Sequence, residues 1–188
     1  ELLQMLQAQG ALIRDDEHRW CESPDLDWTA LPSRIEAVID TQMNRLSTTE
    51  YDLLSGAAVE GRIFTVQVLA AVKGLSERTV LHTLSQDLQD RHRLVREVED
   101  QEVNGRYLTR YSFNQALVQD HLYRALSQAE RRLLHRDIAM TLERLYGETI
   151  DEVVPQLSYH YARGGDAEKA MKYALQAGET AREIHAVD

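Results

Sequence analysis

The chain has 188 residues, enough for one or two small cores, and its net charge is −10, from 31 acidic and 21 basic residues. This balance disfavours non-specific binding to phosphate backbones, which depends on clustered Lys and Arg side chains. The single cysteine, Cys21, excludes a disulfide or a cysteine-based zinc site within the chain, and no apolar run approaches the ~20 residues that span a bilayer. We therefore expect a cytoplasmic protein that does not enter membranes.

Residues 1–46 combine helical patterns with a short hairpin. The run Leu2 to Gln9 has the apolar spacing of a helix that Gly10 closes. Between Ala11 and Trp20, two apolar runs flank a charged turn, which predicts two paired strands. A further helix is predicted after Pro32, with an apolar face at Ile35, Val38, Ile39, Met43 and Leu46. Because helical patterns reach both ends of the sequence, we expect the chain to be a segment of a longer polypeptide.

Three short helices are predicted next, each opened by a capping residue. Ser47 and Glu50 have the spacing of a capping box, in which each side chain accepts from the other residue's backbone N–H. Thr65 and Ser76 stand before the other two apolar runs, and we expect both to cap helices. Leu84, on the third helix, is predicted to be buried.

The hydrophobic period then changes from that of helices to that of strands. Residues 94–98 and 107–113 form strand-like runs, and an acidic stretch between them, predicted to be a loop, ends in Asn104-Gly105, a strong hairpin signal. Three helices followed by a hairpin are the order of a winged helix-turn-helix domain, here residues 47–113, with Phe113 in its core.

From residue 114 to 188 the pattern is helical again. Asn114 and Asp151 are predicted caps, and Ser127 with Glu130 repeats the capping-box spacing. The last two predicted helices are separated by Gly164-Gly165, and together they match four positions of a tetratricopeptide repeat: Leu157, Tyr161, Ala170 and Ala177. Two other positions, Ala174 and Arg182, depart from the repeat pattern. An ordinary helical hairpin is the alternative. The expected fold class is thus mainly α: a winged helix with small β-hairpins, followed by tetratricopeptide-like helical hairpins.

The combined pattern resembles the region that follows the nucleotide-binding core in bacterial signal-transduction ATPases with numerous domains. The stretches that carry the resemblance are residues 31–39, 45–47, 57–64, 111–123, 134–139 and 160–178. The resemblance implies that residues 1–46 contain the end of the ATPase lid, with the hairpin at Ala11–Trp20. It also implies ATP or ADP in the parent protein, a winged helix that packs on the nucleotide-binding domain, and protein partners for the helical repeats.

One position of the resemblance bears on the nucleotide. This family commonly has a phenylalanine, one further residue and then a histidine after the wing, and the run here is Phe113-Asn114-Gln115. Gln115 therefore occupies the place of a histidine that can contact the nucleotide phosphate. Glutamine can donate a hydrogen bond but cannot carry charge, which puts a phosphate-sensing role for Gln115 in doubt.

Other possible sites have weaker support. Residues 56–63 resemble a phosphate-binding loop, but Arg62 and Ile63 replace its lysine and its hydroxyl residue, so we interpret the stretch as a helix end and turn. The histidines lack metal-ligand spacing; we predict His121 and His135 to be partly buried or at the surface, and His160 to be packed. We expect no metal, no cofactor within this chain and no catalysis by it.

DNA binding is the main alternative function. A recognition helix over residues 77–91 would present Arg78, Thr79, His82 and Gln86, but the wing carries four acids among residues 97–102 that would repel phosphates. Direct DNA contact is therefore not expected. The leading hypothesis is a non-catalytic relay module of a signalling ATPase, a transcriptional regulator, that couples nucleotide state to a helical-repeat sensor. A plain helical scaffold for protein partners is the third hypothesis.

Overall fold

The computed structural model describes residues 12–14, 20–22 and 31–185, and shows a mainly helical chain with small antiparallel sheets. It divides into two compact units, residues 1–41 and 42–188. In the described part of the chain, none of the helices combines the length and the apolar character that crossing a bilayer requires.

The first unit contains the predicted hairpin. Strand β1 (Leu12–Arg14) pairs antiparallel with β2 (Trp20–Glu22), and Ile13 lies opposite Cys21. Helix α1 begins in this unit and spans Leu31–Met43, so Pro32 lies in its first turn, as predicted. The predicted helix over residues 2–9 lies outside the described residues.

The second unit is built around helix α2 (Thr48–Glu60). The predicted capping box is present: Ser47 N–H donates to Glu50 Oε2 at 2.6 Å, and Glu50 N–H donates to Ser47 Oγ at 3.3 Å. Seven consecutive residues, 53–59, are buried, so this helix is covered on all sides rather than along one stripe. It ends at Glu60, and Gly61 follows with φ +148°, which confirms the helix end and turn predicted there.

Two further helices follow. Strand β3 (Ile63–Thr65) leads into α3 (Val66–Lys73), and α4 (Glu77–His82) continues as a wider π-helical segment, Thr83–Arg91. Ser76 caps α4 as predicted, through a hydrogen bond from Thr79 N–H at 3.1 Å. The predicted cap by Thr65 is wrong, because its side chain makes no capping hydrogen bond to α3 and is held at Glu60 instead. Leu84 is buried, as predicted.

A three-stranded antiparallel sheet forms from β3, β4 (Val95–Val103) and β5 (Arg106–Phe113), in the order β3-β5-β4. Asn104 and Gly105 both have positive φ at the hairpin turn, as the sequence predicts. The acidic residues before them are not a loop, which corrects the prediction: they belong to β4, an edge strand with a bulge between Glu97 and Asp100. Exposed charge is common on such edges, because it discourages pairing with other chains.

Phe113 is buried, as predicted, at the end of β5. Its ring packs against Phe64 of β3, with ring centroids 5.2 Å apart. Phe64 also stacks on Tyr111, its register partner in β5, at 6.3 Å. These three rings bind the short edge strand β3 to the centre of the sheet.

Four helices complete the unit. They are α5 (Ala116–Ala125), α6 (Gln128–Tyr146), α7 (Val154–Gly164) and α8 (Ala167–His185), with a 3₁₀ segment at Gly147–Val153. The capping box of Ser127 and Glu130 is present, as predicted, and Gly147 follows the last residue of α6.

Two predicted caps in this region are wrong. Gln115 occupies the capping position of α5, its side chain makes no capping hydrogen bond to that helix, and the Asn114 amide donates to the carbonyls of Arg93 and Val95. Asp151 lies in the 3₁₀ segment and accepts a hydrogen bond from Gln176 of α8 at 2.6 Å. In both cases the side chain that local spacing predicts to cap a helix forms its hydrogen bond with a residue distant in sequence instead.

One apolar core joins the sheet hairpin to the helices after it. Val103 and Leu108, from the hairpin, lie in the same buried cluster as Ile138 and Leu142 of α6 and Leu157 of α7. The predicted domain boundary between residues 113 and 114 falls inside this unit. Of the four repeat-like positions, Leu157, Tyr161 and Ala170 are buried and Ala177 is partly buried.

Candidate functional site

A cavity of about 490 Å³ lies between the sheet and helices α6 and α7; we call it the Glu60 cavity. Its volume is within the range of about 300–1,000 Å³ that is usual for small-molecule sites. Leu142 and Val153 contribute apolar wall. Nine polar side chains line the rest: Glu60, Arg62, Thr65, Gln101, Arg110, Tyr146, Glu152, Gln156 and His160.

Glu60 enters the cavity from the last position of α2. Thr65 N–H donates to its Oε1 at 2.9 Å, while Oε2 is buried and has no hydrogen-bond partner among the described residues. Burial raises the pKa of Glu60 to about 8, although the Thr65 hydrogen bonds and the nearby Arg110 charge lower it. At neutral pH the carboxyl is therefore mostly protonated and can donate as well as accept.

Arg110 lines the cavity from β5. Its Nη1 donates to Gln101 Oε1 at 3.5 Å, and Tyr146 OH donates to the same oxygen at 3.2 Å. Gln101 Nε2 in turn donates to Glu152 Oε2 at 2.9 Å. The guanidinium has five N–H donors, so Arg110 can hold an anionic group while it keeps this bond.

His160 connects the cavity to a buried hydrogen-bonded chain. His160 Nδ1 lies 2.9 Å from His135 Nδ1, and His135 Nε2 lies 3.1 Å from Tyr123 OH. The remaining His160 nitrogen bonds to the Glu60 backbone carbonyl, and Arg163 Nη1 donates to Tyr123 OH at 3.3 Å. The chain thereby joins helices α5, α6 and α7 to the end of α2.

These partners determine the protonation of both rings. A carbonyl can only accept, so His160 donates to Glu60 and its Nδ1 accepts from His135 Nδ1–H. His135 Nε2 then accepts from the Tyr123 hydroxyl, and both imidazoles are neutral. Burial is the main cause that lowers the pKa of His135 to about 4 and of His160 to about 3. The prediction that His135 is partly buried or at the surface is wrong, because only 1% of the residue is exposed.

A second polar cluster stabilises the last helices. The Glu143 carboxylate of α6 accepts hydrogen bonds from Tyr161 OH, from Tyr173 OH at 2.5 Å and from Lys169 Nζ at 2.7 Å. Burial raises the pKa of Glu143, but these hydrogen bonds outweigh burial and lower that pKa to about 2. Since Tyr161 lies on α7 while Tyr173 and Lys169 lie on α8, one carboxylate holds both helices to α6.

The residues predicted to have functional roles do not meet at one place. Gln115 is partly buried at the start of α5 and is not among the residues that line the Glu60 cavity. Residues 78, 79, 82 and 86 are exposed on α4 and its π-helical continuation. Arg110, on β5 of the hairpin, is partly buried and lines the cavity.

Sequence reasoning did not identify Glu60, Arg110 and His160 as neighbours. The available signal was weak: Glu60 lies in the stretch that resembles a phosphate loop, and His160 lies between two tyrosines. Within residues 12–14, 20–22 and 31–185, no group of three or more His, Cys, Asp or Glu side chains could hold a metal ion.

Comparison with known proteins assigns no family. No family model matches the chain, and no solved structure matches it. An uncharacterized protein of Rhizobium meliloti (strain 1021) is 26% identical over 157 residues. This match covers 82% of the chain but only 15% of that protein, so the similar region is a small part of a much longer polypeptide.

Proposed function

We propose that this chain is a non-catalytic relay module of a cytoplasmic signalling ATPase that acts as a transcriptional regulator. In this proposal residues 47–113 are a winged helix and α7–α8 are a tetratricopeptide-like helix pair. Three helices followed by the β4–β5 hairpin, with β3 added to β5, support the first assignment. The buried positions shared by α7 and α8 support the second.

The observation that carries the proposal is the joint between the hairpin and the helices. The Asn104 amide, at the hairpin turn, donates to the Tyr146 carbonyl at 2.6 Å, and Gln101 of β4 bonds to both Tyr146 and Glu152. The two regions also share one apolar core. Close-packed interiors transmit displacement, so a shift of the winged helix would move α6 and the 3₁₀ segment with it.

In the parent protein, the winged helix would pack on the nucleotide-binding domain in the ADP state and be released when ATP replaces ADP. The helical repeats would bind a partner or inducer and bias the same two-state element. Such coupling requires the effector to bind one of the two states more tightly than the other.

The test is hydrogen–deuterium exchange on the full-length parent protein with ADP and with a non-hydrolysable ATP analogue. We expect exchange to differ between the two nucleotides over residues 95–113 and also over residues 141–153. The relay would be refuted if exchange in each segment were the same with both nucleotides. It would also be refuted if the parent gene encoded no nucleotide-binding loop.

DNA binding remains the second candidate, because Arg78, Thr79, His82 and Gln86 are all exposed on α4 and its continuation. Opposing it, Glu97, Glu99, Asp100 and Glu102 are exposed along β4. Titration with duplex DNA at several salt concentrations decides between the two functions. Affinity that falls steeply with salt and is lost in Arg78→Ala would favour DNA recognition over the relay.

A further inference from the structure

We propose that the Glu60 cavity binds a small zwitterion of the free amino acid class, with its ammonium group at Glu60 and its carboxylate at Arg110. The proposal names a chemical class for the inducer of the relay, but it does not depend on that function. It concerns only residues 42–188, and it can be tested without nucleotide.

The ammonium position follows from Glu60. Its Oε2 is buried, and no described residue donates a hydrogen bond to it; a carboxyl oxygen in that state is costly unless a donor reaches it. Thr65 occupies Oε1 and thereby leaves Oε2 as the acceptor for a ligand. An ammonium group offers three N–H donors and a positive charge, and both are complementary to a buried carboxylate.

The carboxylate position follows from Arg110, which lines the same cavity and is close enough to Glu60 for its charge to affect that carboxyl. Its weak bond to Gln101, at 3.5 Å, leaves guanidinium donors available to a second acceptor. A carboxylate is the group that a guanidinium binds best, through two parallel hydrogen bonds. Glu60 and Arg110 together thus present opposite charges to the two ends of a zwitterion.

The rest of the cavity suits an organic side chain. Leu142, Val153 and Ile63 supply apolar surface between the polar groups, and the volume of about 490 Å³ exceeds that of an inorganic ion. A lone anion would use Arg110 but leave Glu60 Oε2 without a donor. A lone amine would do the reverse, so each half alone should bind more weakly than the zwitterion.

Binding should also release a proton. Because burial holds the pKa of Glu60 at about 8, the empty site carries a mostly protonated carboxyl at neutral pH. An ammonium group stabilises the ionised form, so that form replaces the neutral one when the ligand binds. Affinity should therefore rise with pH up to the pKa of Glu60, and close to one proton (~1) should leave for each ligand bound.

The experiment begins with the twenty proteinogenic L-amino acids, each added to the purified chain at about 10 mM in thermal melting, since a ligand that binds only the folded state raises the melting temperature. Amino acids that raise it are then titrated calorimetrically in phosphate and in Tris buffer. We expect at least one to bind, with an observed enthalpy that differs between the buffers because of the released proton.

Matched compounds and variants locate the site. For a leucine-like hit, isoamylamine lacks the carboxylate and 4-methylpentanoate lacks the ammonium group. We expect Glu60→Gln to abolish both proton release and amine binding, and Arg110→Gln to abolish carboxylate binding. Glu102→Gln and Arg106→Gln, exposed residues on the same hairpin that do not line the cavity, should bind like the wild type.

The proposal is overturned if no amino acid binds, or if Glu60→Gln binds as tightly as the wild type. If Glu60→Gln does not fold, the Arg110→Gln variant and the buffer dependence of the wild-type enthalpy still test the site. A wild-type enthalpy that is the same in both buffers would mean that no proton is released, and this would refute the role of Glu60. Because these measurements need no nucleotide, their failure is separate from failure of the relay.

Discussion

Acid should destabilise residues 42–188 through the buried histidines His135 and His160. Both rings are neutral in the folded chain, where each nitrogen of the pair has a hydrogen-bond partner. A proton on His160 Nδ1 would face the His135 Nδ1–H donor, and a proton on His135 Nε2 would deprive the Tyr123 hydroxyl, which already accepts from Arg163, of its own acceptor. The nearby Arg163 and Arg131 would also repel the new charge on His135, and both already lower its pKa.

The sign and size of the effect follow from linkage. Both folded-state pKa values, about 4 and about 3, are below the ordinary value of 6.5, so the stability is present above pH 6.5 and is lost as the pH falls. At about pH 5 both folded rings are still neutral, while both unfolded ones are protonated. Between pH 6.5 and about pH 5, each histidine lowers the free energy of unfolding by about 1.36 kcal/mol per pH unit. Over these roughly 1.5 units the two histidines together lower it by about 4 kcal/mol.

Glu60 acts in the opposite direction. Its folded-state pKa of about 8 is above the ordinary 4.5, so it adds stability as the pH falls between those values. The wild-type curve alone would therefore combine two opposing effects. The double variant His135→Gln/His160→Gln retains Glu60 and every other carboxyl, so the difference between the two proteins isolates the histidines.

The assay is urea unfolding followed by far-ultraviolet circular dichroism, at several pH values from about 7.5 to about 5. The wild type should lose about 4 kcal/mol more than the double variant over this range. His82→Gln, which changes an exposed histidine, should follow the wild type. Curves for the wild type and the double variant that stay parallel within about 1 kcal/mol would refute the neutral, buried pair.

Three further predictions concern the stability of the same unit, each measured by urea unfolding at neutral pH. Glu143→Gln should lower the free energy of unfolding by about 2 kcal/mol, because it removes the charge that accepts three hydrogen bonds. This loss should become smaller at pH values below 4.5, the ordinary pKa of a glutamate. A variant as stable as the wild type at neutral pH would contradict the prediction. Leu84→Ala should lower the free energy of unfolding by about 2–5 kcal/mol because the side chain is buried. Leu81 is 40% exposed, so Leu81→Ala should cause a far smaller loss. Equal losses in the two variants would show that Leu84 is not buried. A Cβ at Gly164 would lie 3.0 Å from the Arg136 backbone, so Gly164→Ala should cost about 1–3 kcal/mol. Gly178 lies in α8, and no atom of the described residues lies within 4 Å of its Cβ position, so Gly178→Ala should instead add about 0.5–1 kcal/mol to the free energy of unfolding. The same sign for both glycines would be inconsistent with this packing.

Local signals in the sequence were sufficient for much of the secondary structure. Both serine capping boxes and the Asn104-Gly105 turn were predicted and are present. Each depends on residues within a few positions of one another, so no distant part of the chain is needed to form it. Leu84 and Phe113 were predicted to be buried for a related reason, since the apolar period of one element indicates which side faces the core.

Only the tertiary structure decided where polar side chains find their partners. Thr65, Asn114 and Asp151 have the sequence of helix caps, yet each bonds to a different group once the chain has folded. Side chains of this kind have several possible partners, and tertiary packing selects among them.

The Glu60 cavity and the histidine pair depend on the same selection at longer range. His135 and His160 are 25 residues apart, and Glu60 and Arg110 come from a helix end and a strand with the whole of α3, α4 and β4 between them. No periodicity links such positions. The packing of α6 against α7 brings the two histidines together, and the pairing of β3 with β5 places Thr65, which binds Glu60, opposite Arg110. The sequence by itself thus determined where most helices and turns form, and the packing of those elements determined which charges face each other across the cavity.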